Sequence, residues 1–218
     1  ATNSRQSRCY GRCMMDKPEE SPNLRPEFWN ELYRSDRAGW DLGSPTPAFL
    51  DLLETKRLVP GKMLVLGSGK GYDAILFAQH GFDVTAIDSS EEANKFARQL
   101  ANEQSVSIEF IQEDMFDYSL GIAEEFDYIL EYVTFCAIDP SLRPEFAAMI
   151  PSLMKDSGRF IALFFPLDDR PGGPPFAVSM DEVSRLFSKK MVLISLEAPQ
   201  RSVTQRKGKE LLTIWRKQ

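Results

Sequence analysis

The stretch that decides the fold is Val65-Leu66-Gly67-Ser68-Gly69-Lys70-Gly71-Tyr72-Asp73. It joins a short apolar segment, Lys62–Leu66, to a longer one from Tyr72 to His80, and this pattern predicts a strand, a glycine-rich turn and a helix. In an open α/β sheet, ligands lie beyond the carboxyl ends of the strands, where glycine lets the backbone turn tightly and approach a ligand closely. We therefore expect a ligand at this turn.

The spacing of the glycines indicates which ligand. Gly67, Gly69 and Gly71 form a G-x-G-x-G pattern, whereas the dinucleotide fingerprint G-x-G-x-x-G would place its third glycine at Tyr72. The observed spacing is usual in enzymes that bind S-adenosylmethionine, a ligand without a pyrophosphate. Asp88 ends the next predicted strand, where its carboxylate can accept hydrogen bonds from both hydroxyls of a ribose.

Strands and helices alternate along most of the chain. This order predicts one α/β domain, a doubly wound and mostly parallel seven-stranded sheet with an antiparallel edge. The predicted strands are Lys62–Leu66, Asp83–Ile87, Ser107–Ile111, Phe126–Leu130, Gly158–Phe165, Met191–Glu197 and Lys209–Arg216. The predicted helices begin near Pro26, run from Thr46 or Pro47 to about Leu58, and cover Tyr72–His80, Ser90–Asn102, Arg143–Met154 and Met180–Phe187.

Composition limits the functions that the chain can have. The 218 residues carry a net charge of −6, which argues against a nucleic-acid partner. The longest apolar runs fall short of a membrane span. An odd cysteine count, Cys9, Cys13 and Cys136, indicates a reducing compartment rather than a disulfide framework, and we expect a cytoplasmic protein without a metal site. We interpret residues 1–22 as a polar tail, with a targeting segment as the open alternative, and 23–218 as the domain.

Acidic residues also end the third and fourth predicted strands. Asp114 can bind the amino group of an adenine, and Met115 can pack against the ring. Glu131 and Tyr132 end the fourth strand and face the same crevice. A single carboxylate at a strand end is usually solvated, but a row of strand ends that give polar residues to one crevice indicates a binding site.

Longer motifs carry a resemblance to a known family. They are Trp40-Asp41-Leu42-Gly43 with Thr46-Pro47, Phe126-Asp127-Tyr128-Ile129, Phe135-Cys136-Ala137-Ile138-Asp139-Pro140 with Arg143-Pro144, Gly172-Gly173-Pro174-Pro175-Phe176, and Arg206-Lys207-Gly208-Lys209-Glu210. Over about residues 26 to 217 the chain resembles the thiopurine methyltransferase superfamily, and within it the plant thiol and halide methyltransferases. It departs from the family pattern at Tyr33, Glu131 and Phe176, which stand where relatives have tryptophan, aspartate and often tyrosine.

The resemblance implies a class I fold, S-adenosylmethionine as cofactor and an aromatic trio over it. The predicted cofactor-binding residues, from the strand ends and the resemblance together, are Trp29, Tyr33, Trp40, Gly67, Ser68, Gly69, Gly71, Asp88, Ser89, Asp114, Met115, Glu131 and Tyr132. It further implies a monomer that acts on a small molecule or a small anion.

The acceptor site is predicted from fewer residues. The candidates for catalysis are Tyr132, Phe135 and Arg143, with Arg143 attracting an anion such as bisulfide, thiocyanate or a halide. Phe135 can equally be core and Arg143 can equally pair with Asp139. An anionic acceptor has no proton to lose, so no general base is expected, and we interpret the one histidine, His80, as structural.

Three further expectations concern the same region. Cys136 is expected to be a small buried residue rather than a nucleophile. Asp168 to Arg170 flank the Gly-Gly-Pro-Pro stretch in a segment long enough for a lid. Two other functions stay open: methyl transfer to a larger heterocyclic thiol, and a cofactor-binding or nucleotide-dependent protein that transfers no methyl group.

Overall fold

The computed structural model describes residues 25–55 and 57–218, so the predicted tail lies outside the described residues. The helices are α1 (Pro26–Arg34), α2 (Pro47–Glu54), α3 (Tyr72–Gln79), α4 (Glu91–Glu103), α5 (Met115–Ser119), α6 (Arg143–Leu153) and α7 (Met180–Phe187). The strands are β1 (Lys62–Leu66), β2 (Asp83–Ile87), β3 (Glu109–Ile111), β4 (Phe126–Tyr132), β5 (Met154–Phe164), β6 (Met191–Glu197) and β7 (Leu211–Lys217).

The seven strands form one sheet in the order β3-β2-β1-β4-β5-β7-β6. Strands β1 to β5 pair in parallel, and β7 pairs antiparallel with both β5 and β6. The predicted fold class is therefore confirmed, including antiparallel pairing at one side of the sheet. The strand order reverses between β1 and β4, and the crevice at such a reversal is where this kind of sheet binds ligands.

Helices cover the sheet on both faces because the buried strands are apolar on both sides. Leu64 and Leu66 of β1 belong to one core, which includes Phe146 of α6. Met63 and Val65 of the same strand belong to the opposite core with residues of α2 and α3. This alternation places the carboxyl end of β1 in the middle layer, with its glycine turn at the rim of the crevice.

The structure differs from the sequence prediction at several boundaries. Helix α5 was not predicted, α2 ends at Glu54 rather than near Leu58, and β5 begins at Met154 rather than Gly158. The early start of β5 follows from pairing of Met154 with Phe126 across a register shift. No helix in the described ranges, 25–55 and 57–218, has the length and apolarity needed to cross a membrane.

Candidate active site

A cavity of about 580 Å³ lies at the carboxyl ends of β1 to β4. Three other segments close it from outside: the α1 region, the loop before α7 and the segment before β7. Eight of the predicted cofactor residues line this cavity: Trp29, Tyr33, Trp40, Gly67, Asp88, Ser89, Asp114 and Met115. The structure therefore brings the predicted strand ends and the aromatic trio together.

The other predicted residues lie beside or behind the cavity wall. They are Ser68, Gly69, Gly71, Glu131, Tyr132, Phe135 and Arg143. Ser68, Gly69 and Gly71 belong to the glycine turn, and their backbone shapes the turn without lining the cavity. For Phe135 and Arg143 this placement changes the interpretation, as described below.

The turn after β1 requires glycine at Gly67 and at Gly71. Both have positive φ, +55° and +79°, which side chains other than glycine rarely adopt. A Cβ on Gly67 would lie 2.3 Å from Oγ1 of Thr134, and a Cβ on Gly71 would lie 2.9 Å from Cβ of Ala97. The turn is therefore pressed between α4 and the segment that follows β4.

Asp88 fits the predicted ribose contact. It ends β2 at the cavity wall, and its two carboxylate oxygens accept the amide N–H groups of Gly69 and Ser90, each at 2.8 Å. Burial raises the pKa of Asp88, and the two amide hydrogen bonds oppose that shift. Each oxygen keeps a further lone pair for a ligand hydroxyl. Nearby, the buried Oγ of Ser68 has no hydrogen-bond partner among the described residues, which leaves a polar group for a ligand.

Asp114 has a structural function as well as its predicted one. Its Oδ1 accepts the N–H of Phe116 at 2.8 Å and caps the short helix α5. The side chain is exposed at the cavity rim, and Met115 follows it in the wall. An acidic group followed by an apolar one at this place suits the amino group and the face of an adenine ring.

The aromatic cage consists of Trp29, Tyr33 and Trp40. Trp40 meets Trp29 and Tyr33 edge to face, with ring centroids 5.3 Å and 5.5 Å apart, and Nε1 of Trp40 donates to the Tyr33 hydroxyl at 3.1 Å. Burial, then the charge of Asp88, raises the pKa of Tyr33, so its hydroxyl stays neutral. Neutral rings that line a cavity attract a cation through their π faces.

Polar contacts fix the cage over the sheet. Asn30 on α1 accepts the hydroxyl of Ser90 at 2.7 Å, and Asp41 forms an ion pair with Lys70 of the glycine turn at 2.6 Å. Thr46 donates its N–H and its hydroxyl to Asp73, at 2.7 Å and 2.8 Å. Burial raises the pKa of Asp73 to about 6 despite these bonds. The cage thus depends on residues far away along the chain.

Arg206 is a buried cation in the cavity wall. Its guanidinium donates to the Tyr132 hydroxyl and, at 2.6 Å, to the carbonyl oxygen of Trp40. It lies 5.1 Å from the ring centroid of Tyr132 and 5.0 Å from that of Phe165. No carboxylate in the described part of the chain lies within ion-pair distance of it, although its residue is only 5% exposed. A buried charge without a direct counter-ion favours an anionic ligand.

Arg206 was the residue that the sequence analysis missed. It was noted only as part of a motif, although its place in Arg206-Lys207-Gly208-Lys209-Glu210 was a usable signal. Arg170 also lines the cavity, but Asp168 pairs with it at 2.7 Å. Hydrogen bonds from Arg170, then Lys209, hold the pKa of Asp168 well below its usual range. The charge of Arg170 is therefore already balanced.

The placement of Arg143 corrects its predicted function. Arg143 is 3% exposed, pairs with Glu182 at 2.7 Å and donates to the carbonyl oxygen of Ala177 at 3.0 Å. Its guanidinium lies 4.7 Å from the ring centroid of Phe135 and does not line the cavity. A paired charge behind the wall does not attract an anion from solvent. The ion-pair partner of Arg143 is Glu182, whereas the sequence had suggested Asp139.

Phe135 and Tyr132 are corrected in the same way. Phe135 is buried among Phe146 and Phe164, with ring centroids at 5.6 Å and 5.4 Å, so it belongs to the core. Tyr132 lies behind Arg206, and its hydroxyl donates to Glu210. Tyr132 thus orients Arg206 rather than forming the wall itself.

Two expectations for neighbouring residues agree with their positions. Cys136 lines the cavity as a buried thiol that donates to the carbonyl oxygen of Val133 at 3.3 Å. Burial raises its pKa to about 12, which keeps it protonated and unreactive. His80 hydrogen-bonds through Nδ1 to the Leu76 carbonyl oxygen at 2.8 Å, at the end of α3 and outside the cavity wall.

The predicted lid segment lies across the end of the cavity that contains Arg206, which we call the acceptor end. Pro174 and Pro175 line the wall, and the N–H of Phe176 donates to the Cys136 carbonyl oxygen at 2.7 Å. The N–H of Leu167 donates to the Lys209 carbonyl oxygen at 3.0 Å, which joins the segment to the loop that carries Arg206. The acceptor end is therefore built from β4, the lid segment and the loop before β7.

Comparison with known proteins agrees with this arrangement. The profile of the thiopurine S-methyltransferase family matches residues 24–216. A probable thiol methyltransferase 2 of Arabidopsis thaliana is 38% identical, covering 87% of this chain and 84% of the relative. Thiocyanate methyltransferase 1 of Brassica oleracea is 33% identical, covering 92% and 91%. In fold, the chain is similar to the Burkholderia thailandensis 1,6-didemethyltoxoflavin-N1-methyltransferase, with a TM-score of 0.72, 21% identity and 93% coverage of both chains.

Proposed function

The chain belongs to the thiopurine S-methyltransferase family, uses S-adenosylmethionine as its cofactor, and from this premise we propose that it methylates a small thiol or an inorganic anion. The proposed anionic acceptors are bisulfide, thiocyanate and the halides. The observation that carries the proposal is Arg206, a buried cation in the cavity wall without a carboxylate partner in the described chain. An anion beside Arg206 would supply the direct counter-ion that Glu210, which reaches Arg206 only through the Tyr132 hydroxyl, does not provide.

The cavity has two chemically different ends. At one end Asp88 and Asp114 provide the carboxylates expected for a nucleoside. At the other end Val133, Cys136 and Phe165 form an apolar wall around Arg206. A small anion at the apolar end would leave its hydration shell, and a desolvated anion is a stronger nucleophile.

When bound, S-adenosylmethionine supplies a methyl group on a sulfonium, and an in-line attack forms the acceptor–carbon bond as the carbon–sulfur bond breaks. The aromatic cage stabilises that positive charge through the rings of Trp29, Tyr33 and Trp40. Arg206 holds the acceptor, and Tyr132 with Glu210 holds Arg206. An acceptor that arrives as an anion needs no proton removed, so the chain needs no base at this end.

A heterocyclic thiol is the second candidate. The observation that favours it is the ring of Phe165, which lies in the wall near Pro174 and offers a flat apolar surface for an aromatic acceptor. As a thiolate, such an acceptor would use the same buried arginine. The two candidates therefore differ in the size and shape of the acceptor rather than in its charge.

The test is S-adenosylhomocysteine production with iodide, thiocyanate, bisulfide and an aromatic thiol at equal concentration. Turnover of the small anions would support the proposal and rank the acceptors. Turnover of the aromatic thiol alone would favour the second candidate. If none of the four is turned over while S-adenosylhomocysteine still binds in calorimetry, the proposed acceptor class is wrong, and binding without methyl transfer becomes the better description.

A further inference from the structure

The backbone at Val133 has a conformation that β-branched residues rarely adopt. Its φ is +58°, and of the four non-glycine residues with positive φ in the described ranges it is the one with a β-branched side chain. Such a conformation persists where surrounding contacts impose it, and it concentrates at functional sites. Val133 lines the acceptor end of the cavity, and contacts of the residues beside it hold this conformation.

A buried carboxylate holds the turn formed by residues 133–136. Oε1 of Glu131 accepts the N–H of Thr134 at 2.9 Å and the N–H of Phe135 at 2.8 Å. The thiol of Cys136 donates back to the Val133 carbonyl oxygen at 3.3 Å. These bonds close the chain around Val133, so its φ is a consequence of the position of Glu131.

The side chain of Glu131 makes its hydrogen bonds with this turn and with nothing else in the described chain. The residue is 1% exposed, does not line the cavity, and its Oε2 has no hydrogen-bond partner there. A carboxylate that is costly to bury and that serves only one turn has that turn as its evident function. The charged and titratable groups that face it are Arg143 and Cys136.

The 133–136 turn connects the two ends of the cavity. Oγ1 of Thr134 donates to the Leu66 carbonyl oxygen at 3.0 Å, directly before the glycine turn. The Cys136 carbonyl oxygen accepts the N–H of Phe176 in the lid segment at 2.7 Å. A shift of this turn would therefore move the wall that an acceptor contacts and would disturb the lid segment with it.

We propose that Glu131 is a positioning residue, which holds Val133 and Cys136 in the wall against which the acceptor lies. This rests on the proposed function. Glu131 acts through the backbone of the turn and touches neither cofactor nor acceptor. The inference replaces the sequence-based expectation that Glu131 contacts the cofactor.

The test compares variants of Glu131 with a control variant in steady-state methyl transfer. Glu131→Leu keeps about the same side-chain volume but cannot accept the hydrogen bonds from Thr134 and Phe135. We expect kcat/KM for the methyl acceptor to fall by about 10- to 100-fold in this variant. Glu131→Gln keeps an oxygen for both N–H groups and is expected to stay within about threefold of the wild type. Affinity for S-adenosylhomocysteine should change by less than about threefold in Glu131→Gln. In Glu131→Leu it should fall by a smaller factor than kcat/KM for the acceptor, because Thr134 of the turn also bonds to Leu66 before the glycine turn. Thr213→Val, a buried polar change in β7, controls for lost stability alone.

The decisive variant is Glu131→Leu combined with Val133→Gly. Glycine adopts a φ of +58° without strain, so the turn should need less support; measured against Val133→Gly alone, which accounts for the lost wall side chain, we expect a rescue in which Glu131→Leu costs at least about tenfold less kcat/KM than it does in the wild type. A role of Glu131 in general stability predicts no such rescue. Equal losses of acceptor and cofactor binding in Glu131→Leu, or the same kinetic change in Thr213→Val, would overturn the proposal.

A second readout does not depend on activity. The rate at which a small thiol reagent labels Cys136, followed by mass spectrometry of that peptide, reports whether the turn is closed. We expect at least about a tenfold faster reaction in Glu131→Leu, reversed by Val133→Gly. If the wild type methylates no acceptor, the proposed function fails, and unchanged labelling would show independently that the positioning role is wrong. Should Glu131→Leu not fold, Glu131→Asp, which withdraws the carboxylate, is expected to give smaller changes of the same sign.

Discussion

The two ends of the cavity are built in different ways. At the cofactor end, Gly67 and Asp88 follow directly on β1 and β2, and Asp114 lies three residues after the end of β3, so the sheet sets their positions. At the acceptor end, Arg206 and Pro174 are brought together from loops far apart in the chain. The strand-end residues of the cofactor end thus depend on local motifs, whereas the acceptor end depends on contacts between segments that are distant in sequence.

The largest expected effect is on the acceptor end and comes from Arg206→Leu. Loss of the buried guanidinium should lower kcat/KM for iodide and thiocyanate by about 100- to 1000-fold, because the variant lacks the cation that binds the anionic acceptor. Affinity for S-adenosylhomocysteine should fall by less than about tenfold, because only the bond to the Trp40 carbonyl oxygen is lost at the cage.

Arg170→Leu is the matched control for that change. Arg170 lines the same cavity, but Asp168 already balances its charge, so we expect less than about a tenfold loss. Equal losses of kcat/KM in the two variants would mean that turnover depends on the number of arginines in the cavity wall. The lack of a direct counter-ion at Arg206 would then not be the reason for its effect.

The next largest effect should reach both ends of the cavity, and it comes from Gly67→Ala. Gly67→Ala places a Cβ 2.3 Å from Oγ1 of Thr134 and forces φ +55° on a residue that avoids it. We expect the dissociation constant for S-adenosylhomocysteine to rise about 100-fold, measured by calorimetry, and acceptor turnover to fall as the 133–136 turn shifts. Gly81→Ala has a similar positive φ but only ordinary contacts with Pro60, so it should lower stability and leave affinity unchanged.

Asp88→Ala tests the cofactor end by itself. Loss of the carboxylate should weaken S-adenosylhomocysteine binding by about 1.5–3 kcal/mol, the range for a hydrogen bond to a charged group. The relative turnover of the different acceptors should stay the same at saturating cofactor. An unchanged affinity in calorimetry would show that Asp88 does not bind the ribose.

The smallest expected effect is a pH dependence of stability. Burial raises the pKa of Glu131 to about 7, opposed by the amides of Phe135 and Thr134. The native state therefore keeps a proton that the unfolded chain has lost, and the free energy of unfolding decreases as pH rises from about 4.5 to 7. Glu131→Gln should remove on the order of 1–3 kcal/mol of that decrease in urea unfolding. Asp73, whose pKa is also raised, is present in both proteins and cancels in the difference. If the free energy of unfolding changes with pH in the same way in the wild type and in Glu131→Gln, the raised pKa of Glu131 is wrong.

The sequence predicted the parts of the molecule that depend on local pattern. The carboxyl ends of β1, β2 and β3 and the glycine turn were placed correctly because hydrophobic patterning marks the strands, and a ligand site in such a sheet follows from topology. Helix α5 was missed because its five residues are too few for a periodic pattern, although Asp114 was a capping signal.

Arg143 shows why the acceptor end was predicted less well. Its neighbour Asp139 was the expected partner because it is close in sequence, yet the real partner is Glu182, which α7 brings to it. Arg206 gave the opposite error: it was noted only as part of a motif and given no function, while the fold buries its side chain against Tyr132 and Phe165. Pairings between distant segments are set by tertiary packing, which local pattern does not encode.

The position of β7 has a consequence for biosynthesis. This strand, the last of the seven in sequence, lies between β5 and β6 and is not at the edge of the sheet. A ribosome releases the N-terminal parts first, so the glycine turn and Asp88 can assemble on β1, β2 and β4 while β5 still lacks its neighbour. Arg206 is anchored only when residues 211–217 have emerged and inserted. We therefore expect a nascent chain to form the glycine turn and the Asp88 site before it buries Arg206, the arginine that we propose to hold the acceptor.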